Sequence, residues 1–151
     1  REGVLAALDF QGVVRWRVAL TIDGTEADPR QMLLSRDQLL VSTRSRKAGA
    51  STDVIVALDR STGAERWRSQ FDDSFPGAPV PVASANTVTV FSNNVLSAFR
   101  LSDGAPAWTF ALDSSVPAIA LDPAAGLTYA LERGPRWRSW LAPFGIGRDG
   151  V

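Results

Sequence analysis

Three kinds of side chain in this sequence have types and spacings that admit chemistry: the carboxylates Asp9 and Asp59, the tryptophans Trp16, Trp67 and Trp108, and the cations Arg44, Arg46 and Lys47. A carboxylate can ligate a metal or act as a general base. An indole can stack on a flat ligand. Guanidinium groups, in the cationic run and in the pairs flanking Trp16, Trp67 and Trp137, can clamp a carboxylate or a phosphate. Each type also has a plainer use. Asp9 and Asp59 stand three and four residues before Gly12 and Gly63, where a carboxylate caps the backbone N–H groups of a turn. The three tryptophans are spaced 51 and 41 residues apart, and a repeated core reuses one residue type. Arginines alternating along an outer strand discourage edge-to-edge pairing. Arg44, Arg46 and Lys47 fall in the polar stretch 44–52, expected to be a hairpin loop and a candidate contact for an acidic partner.

Composition narrows the field. The 151 residues include no His and no Cys, so neither a Ser-His-Asp nor a Cys-His grouping can assemble within them. Disulfides and thiolate metal sites are excluded for the same reason. Gly145-Ile146-Gly147 lacks the later glycine and the strand-to-helix setting of a phosphate loop. The formal net charge is zero, which gives no reason to expect a nucleic acid or an anionic membrane as partner. No apolar run approaches the roughly 18 residues of a membrane-spanning helix. The segment is therefore expected to be non-catalytic, with no cofactor, no metal and no membrane insertion.

The elements that would position these residues follow from hydrophobic period. Val4–Leu8, Val54–Leu58 and Val95–Phe99 read as strands, each leading into a turn. Past the turns, Trp16, Val18 and Leu20 alternate with Arg15 and Arg17, with Val14 assigned to the tryptophan face. Trp67 and Phe71 oppose Arg66, Arg68 and Gln70, and Trp108, Phe110 and Leu112 oppose Ala107, Thr109 and Ala111. A period of two over such lengths means half-buried strands. Further strands are expected near Gln31–Ser35, Leu39–Thr43, Val80–Ala83, Thr87–Phe91, Pro117–Leu121 and Leu127–Leu131, with Thr21–Arg30 as a polar link. Asn93-Asn94 supplies a tight turn, since Asn tolerates the left-handed region. Beyond Leu131 two registers compete: Trp137–Ala142 as a third strand, which we favour, or Ala130–Trp137 as a shortened copy of the repeat.

The pattern Ala-x-Asp-x-x-Thr-Gly-x-x-x-Trp resembles the tryptophan-docking motif of the quinoprotein-type (PQQ-like) β-propeller repeat. The middle copy matches throughout, with Ala57, Asp59, Thr62, Gly63 and Trp67. The first keeps Ala7, Asp9, Gly12 and Trp16 and is one residue shorter. The third keeps Ala98, Gly104 and Trp108, with Arg100 in the Asp position and Asp103 in the Thr position. The resemblance implies an all-β protein of four-stranded antiparallel blades, in which each tryptophan docks on the neighbouring blade.

Laid on the chain, that repeat gives about three blades: outer strands of one at 1–20, a second at 30–71, a third at 79–112 and an incomplete fourth at 117–151. A propeller typically closes with roughly 4 to 8 blades, so the expectation is an open segment of a larger propeller; an arc completed by another copy and a solenoid of short sheets are the alternatives. The terminal strands, with Val14, Val18, Leu20, Ile119, Leu121, Leu127 and Tyr129, are expected to lack part of their packing, leaving the remaining blades or self-association to cover the open ends. By resemblance, the function is a scaffold or binding propeller with a protein partner outside the cytoplasm. The competing reading is a piece of a quinone-dependent dehydrogenase, a class marked by a vicinal Cys pair and acidic calcium ligands.

Overall fold

The computed structural model describes residues 3–47, 50–71, 82–83, 86–92, 94–112, 118–122, 125, 127–131 and 141–144. These carry fourteen strands and no helix. All pairings are between antiparallel neighbours, in four sheets. β1 (Val4–Leu8) pairs with β2 (Val14–Ala19) as a two-stranded sheet. β3 (Thr21–Ile22), β4 (Thr25–Ser35), β5 (Gln38–Lys47), β6 (Ala50–Asp59) and β7 (Glu65–Phe71) follow one another across a five-stranded sheet. β8 (Val82–Ala83), β9 (Thr87–Ser92), β10 (Val95–Arg100) and β11 (Pro106–Ala111) make a four-stranded sheet. β12 (Ala118–Asp122), β13 (Leu127–Leu131) and β14 (Leu141–Phe144) make a three-stranded one.

Apolar residues on both faces of β5 and β6 place those strands between two neighbours. Leu40, Ile55, Ala57, Trp67 and Phe71 join Val88, Val90, Phe99 and Leu101 in one buried cluster, which is the seam between the five- and four-stranded sheets. The opposite face gives Val41, Val54, Val56 and Leu58, clustered with Leu20, Ile22 and Ala27 and flanked by Leu5 and Val18 of the first sheet. The stretch Val54–Leu58 is apolar at every position because both its faces are covered.

Three sequence expectations need correction. Thr21–Arg30 is not a link: Asp23 (φ 49°) and Gly24 (φ 71°) turn β3 back into β4. Two successive positive φ angles make the tight turn whose twist matches paired strands. Residues 44–47 and 50–52 are not a loop but the ends of β5 and β6, with Arg44 directly across from Asp53. Finally, Leu20 does not lack packing: it is 5% exposed within the cluster that β3 and β4 complete. Val14 does, at 49% exposed, because a register shift at Leu8 takes it off the tryptophan face. Leu127 and Tyr129 are half-buried; the side chains of Ile119 and Leu121 lie outside the described residues.

Candidate functional site

The residues singled out by the repeat converge on the turns between β1 and β2, β6 and β7, and β10 and β11. In all three the alanine faces the tryptophan directly across the ladder: Ala7 with Trp16, Ala57 with Trp67, Ala98 with Trp108. One residue later each ladder shifts register, at Leu8, Leu58 and Phe99. An extra residue in one strand bends and twists the pair, and its recurrence gives the three turns a common shape.

Inside the turns the carboxylates are occupied. Asp59 Oδ1 accepts the backbone N–H of Ser61 at 2.9 Å and of Thr62 at 3.0 Å, and the Ser61 hydroxyl at 2.5 Å. Its Oδ2 accepts Arg66 Nη2 at 2.6 Å, and Arg66 also bridges to Asp37 at 2.6 Å. The Ser61 hydroxyl first, and then the Arg66 guanidinium, hold the Asp59 carboxyl well below the usual carboxylate range. Arg66 likewise lowers Asp37. Asp9 is used in the same way, accepting Gln11 N and Val13 N at 2.9 Å each and bridging to Arg15 at 2.9 Å. The departure at Arg100 and Asp103 has a local explanation. Thr62 Oγ1 accepts Ala64 N at 3.2 Å, and Asp103 Oδ1 accepts the equivalent Ala105 N at 3.0 Å. Arg100 then binds both oxygens of Asp103, and its guanidinium is the main cause of the lowered Asp103 carboxyl.

The second and third turns also meet a neighbouring sheet. Trp16 Nε1–H donates to the Arg60 carbonyl at 3.1 Å, and Trp67 Nε1–H donates to the Leu101 carbonyl at 2.9 Å. Gln38 Nε2–H shares that second acceptor at 3.0 Å, and the Ser69 hydroxyl donates to the Gly104 carbonyl. Both glycines lie flat against an indole. A Cβ at Gly63 would come within 2.6 Å of Trp16 Cε3, and one at Gly104 within 2.5 Å of Trp67 Cε3. Their φ angles of 74° and 73° are also in the left-handed region, so glycine is required twice over. Gly12 has the same conformation (φ 80°) with nothing within 4 Å of its Cβ position.

The cationic run is divided. Arg44 is buried, and its Nε and Nη2 make a bidentate pair with Asp53 at 2.9 and 2.8 Å. Asp53 is 0% exposed. Arg46 and Lys47 extend β5, and their side chains lie outside the described residues. Sequence reasoning missed Asp53, whose signal was its place nine residues after Arg44, across an even hairpin. Among the described residues no cluster of three or more acidic side chains could hold a metal, and no helix is long and apolar enough to cross a membrane.

Antiparallel sheets joined edge-turn to indole at blade spacing define the PQQ-like β-propeller class. Within that class the chain belongs to the family described as outer membrane protein assembly factor BamB, whose model matches residues 1–133. The structure is similar to the crystal structure of BamB from Moraxella catarrhalis, with a TM-score of 0.63 and 25% identity. That similarity covers 86% of this chain and 41% of that one, so the chain spans less than half the length of this relative. No curated protein matches the sequence.

Proposed function

We propose that this chain is a non-catalytic propeller scaffold that acts outside the cytoplasm, in protein–protein contacts serving outer membrane protein assembly. The observation that carries the reading is the family match over residues 1–133, joined to a fold shared with a BamB structure. The local chemistry supports it. The carboxylates of Asp9, Asp59 and Asp103 are engaged by turn N–H groups and arginines, and the indoles of Trp16 and Trp67 are engaged by the next turn. In this reading Ala7, Asp9, Gly12 and Trp16, with their counterparts in the next two copies, hold sheets together and touch no substrate. Arg44 belongs to the core, and in this reading partner contact is left to Arg46 and Lys47 and to exposed apolar positions such as Phe10, Met32 and Leu34.

The test is removal of the protein from its own cells, followed by measurement of the steady-state amount of outer-membrane β-barrel proteins. A fall, restored by the wild-type gene, is expected. Unchanged amounts, together with binding of pyrroloquinoline quinone and quinone-dependent dye reduction by the purified protein, would replace the scaffold with the dehydrogenase reading.

A further inference from the structure

The repeat accounts for the docking turns, but three residues that it does not require converge on one cavity. Between the β4–β5 turn of the five-stranded sheet and the β10–β11 turn of the four-stranded sheet lies a pocket of about 410 Å³. Its lining includes Arg36, Asp37, Gln38, Thr87, Arg100 and Leu101. The two sheets that form it have five and four strands, so it owes nothing to the open first and last sheets.

Gln38 is the first of the three. It faces Asp59 across its ladder, as Thr87 faces Arg100 in the next sheet, so the repeat does not call for an amide at this position. Gln38 is 8% exposed, and its Nε2–H donates to the Leu101 carbonyl at 3.0 Å. That bond fixes the amide, because a flip would set two acceptors against each other. The Leu101 carbonyl already accepts the Trp67 indole, so the sheets are joined there without Gln38. Its Oε1 is left buried with no hydrogen-bond partner. Native proteins keep few such groups, and a missing ligand is one reason for them.

The other two are cations. Arg100 stands where the first two copies carry Asp9 and Asp59. Its backbone bonds to Ala105 and Gly104 as that of Asp59 does to Ala64 and Gly63. The Nε and Nη2 of Arg100 hold Asp103, which leaves its Nη1 unused among the described residues. Arg36 has a φ of 53°, in the region that favours glycine, and its guanidinium makes no ion pair among the described residues. Both arginines are exposed. Asp37, beside Arg36, is taken by Arg66. The pocket therefore offers one buried acceptor and two guanidinium groups at its rim, with the neighbouring carboxylates already engaged.

We propose that this pocket binds a carboxylate-bearing segment of a partner protein, with Arg36 and Arg100 on the carboxylate and Gln38 Oε1 accepting the backbone N–H beside it. Guanidinium forks match the two oxygens of a carboxylate. The amide oxygen supplies what a peptide N–H needs and a simple anion does not. The volume lies at the small end of the roughly 300 to 1,000 Å³ of ligand sites, which suits a residue or two of extended chain. The carboxylate has two sources, a chain terminus and an acidic side chain. This contact adds to the exposed positions named above and does not depend on the assembly role, which the removal experiment reads separately.

The experiment uses the whole chain and three probes: acetyl-alanyl-alanine with a free carboxylate, the same dipeptide as its C-terminal amide, and acetyl-aspartate N-methylamide. Binding is read from the 15N-resolved NMR shifts of the Gln38 side-chain amide and of the Ser102 backbone N–H, which also borders the pocket. Saturable shifts with a Kd below about 10 mM are expected from at least one carboxylate probe. The dipeptide alone points to a chain terminus, and the aspartate alone to an acidic side chain. No shift from either, or equal affinity for the dipeptide amide, would overturn the proposal. Arg36→Asn keeps a residue that tolerates positive φ and should weaken binding about tenfold, the size of one charge-assisted hydrogen bond. Gln38→Met should weaken it as well, with the Trp67 indole proton still protected from exchange. Arg17→Gln, which removes an exposed cation of β2 in another sheet, is the control and should bind as the wild type does. Wild-type affinity in Arg36→Asn would overturn the carboxylate contact, and wild-type affinity in Gln38→Met would overturn the N–H contact.

Discussion

At the scale of single residues, Trp67 and Arg66 are neighbours with opposite duties. Trp67 is 7% exposed and lies in the main cluster. Trp67→Ala should cost about 3–5 kcal/mol, as for other large aromatics removed from a core. Arg66 is a surface residue paired with Asp37 and Asp59, and surface ion pairs contribute little, so Arg66→Ala should move a urea midpoint far less. Equal shifts would reverse the facing of β7. The Asp59 carboxyl gives a pH signature. Its folded pKa is depressed by Ser61 and Arg66, so its stabilising contribution is complete above the unfolded value of about 3.9. It is lost as pH falls further, toward the folded value. Urea titrations between about pH 5 and pH 2 should therefore show a steeper loss for the wild type than for Asp59→Asn. Parallel curves would mean that the turn does not engage the carboxylate.

Elements show what was legible in the sequence and what was not. Strands with an unambiguous period of two, such as β7 and β11, fall within a residue or two of where alternation puts them. The turn at Asn94 has the positive φ of 60° that its residue type suggests. Asp23-Gly24 was an equally readable hairpin signal, obscured by the charges and proline that follow in β4. Pro29 is tolerated because it sits at a register shift. The ends of β5 and β6 were illegible for a different reason. Arg44 looks solvated until Asp53 is placed across from it, and strand register is a property of the pair rather than of either segment. That pair makes its own prediction. Asp53→Asn or Arg44→Met should destabilise by about 3–5 kcal/mol, because each breaks one side of a buried bidentate ion pair. The double replacement Arg44→Met with Asp53→Leu should recover much of the loss, as measured by chemical denaturation. Single replacements costing no more than surface changes would show that the pair is solvated.

In the whole molecule, sheets are joined by indoles docking on the next turn. The repeat, the bulge after each alanine and the glycine lying flat against a ring belong to one device; its alanine, glycine and tryptophan are legible in sequence, whereas the bulge is seen only in the ladders. What the sequence could not show is the partner of each indole, because Trp67 and the Leu101 carbonyl are 34 residues apart. Exchange of indole N–H protons with solvent, followed by 15N-resolved NMR with the signals assigned by substitution, reads that contact directly. The Trp67 Nε1–H should be strongly protected in the wild type. In Gly104→Ala, where the new Cβ would meet the ring, it should exchange far faster while the Trp16 signal is unchanged. A Trp67 indole proton that exchanges equally fast in both proteins would contradict the docking of one sheet on the next.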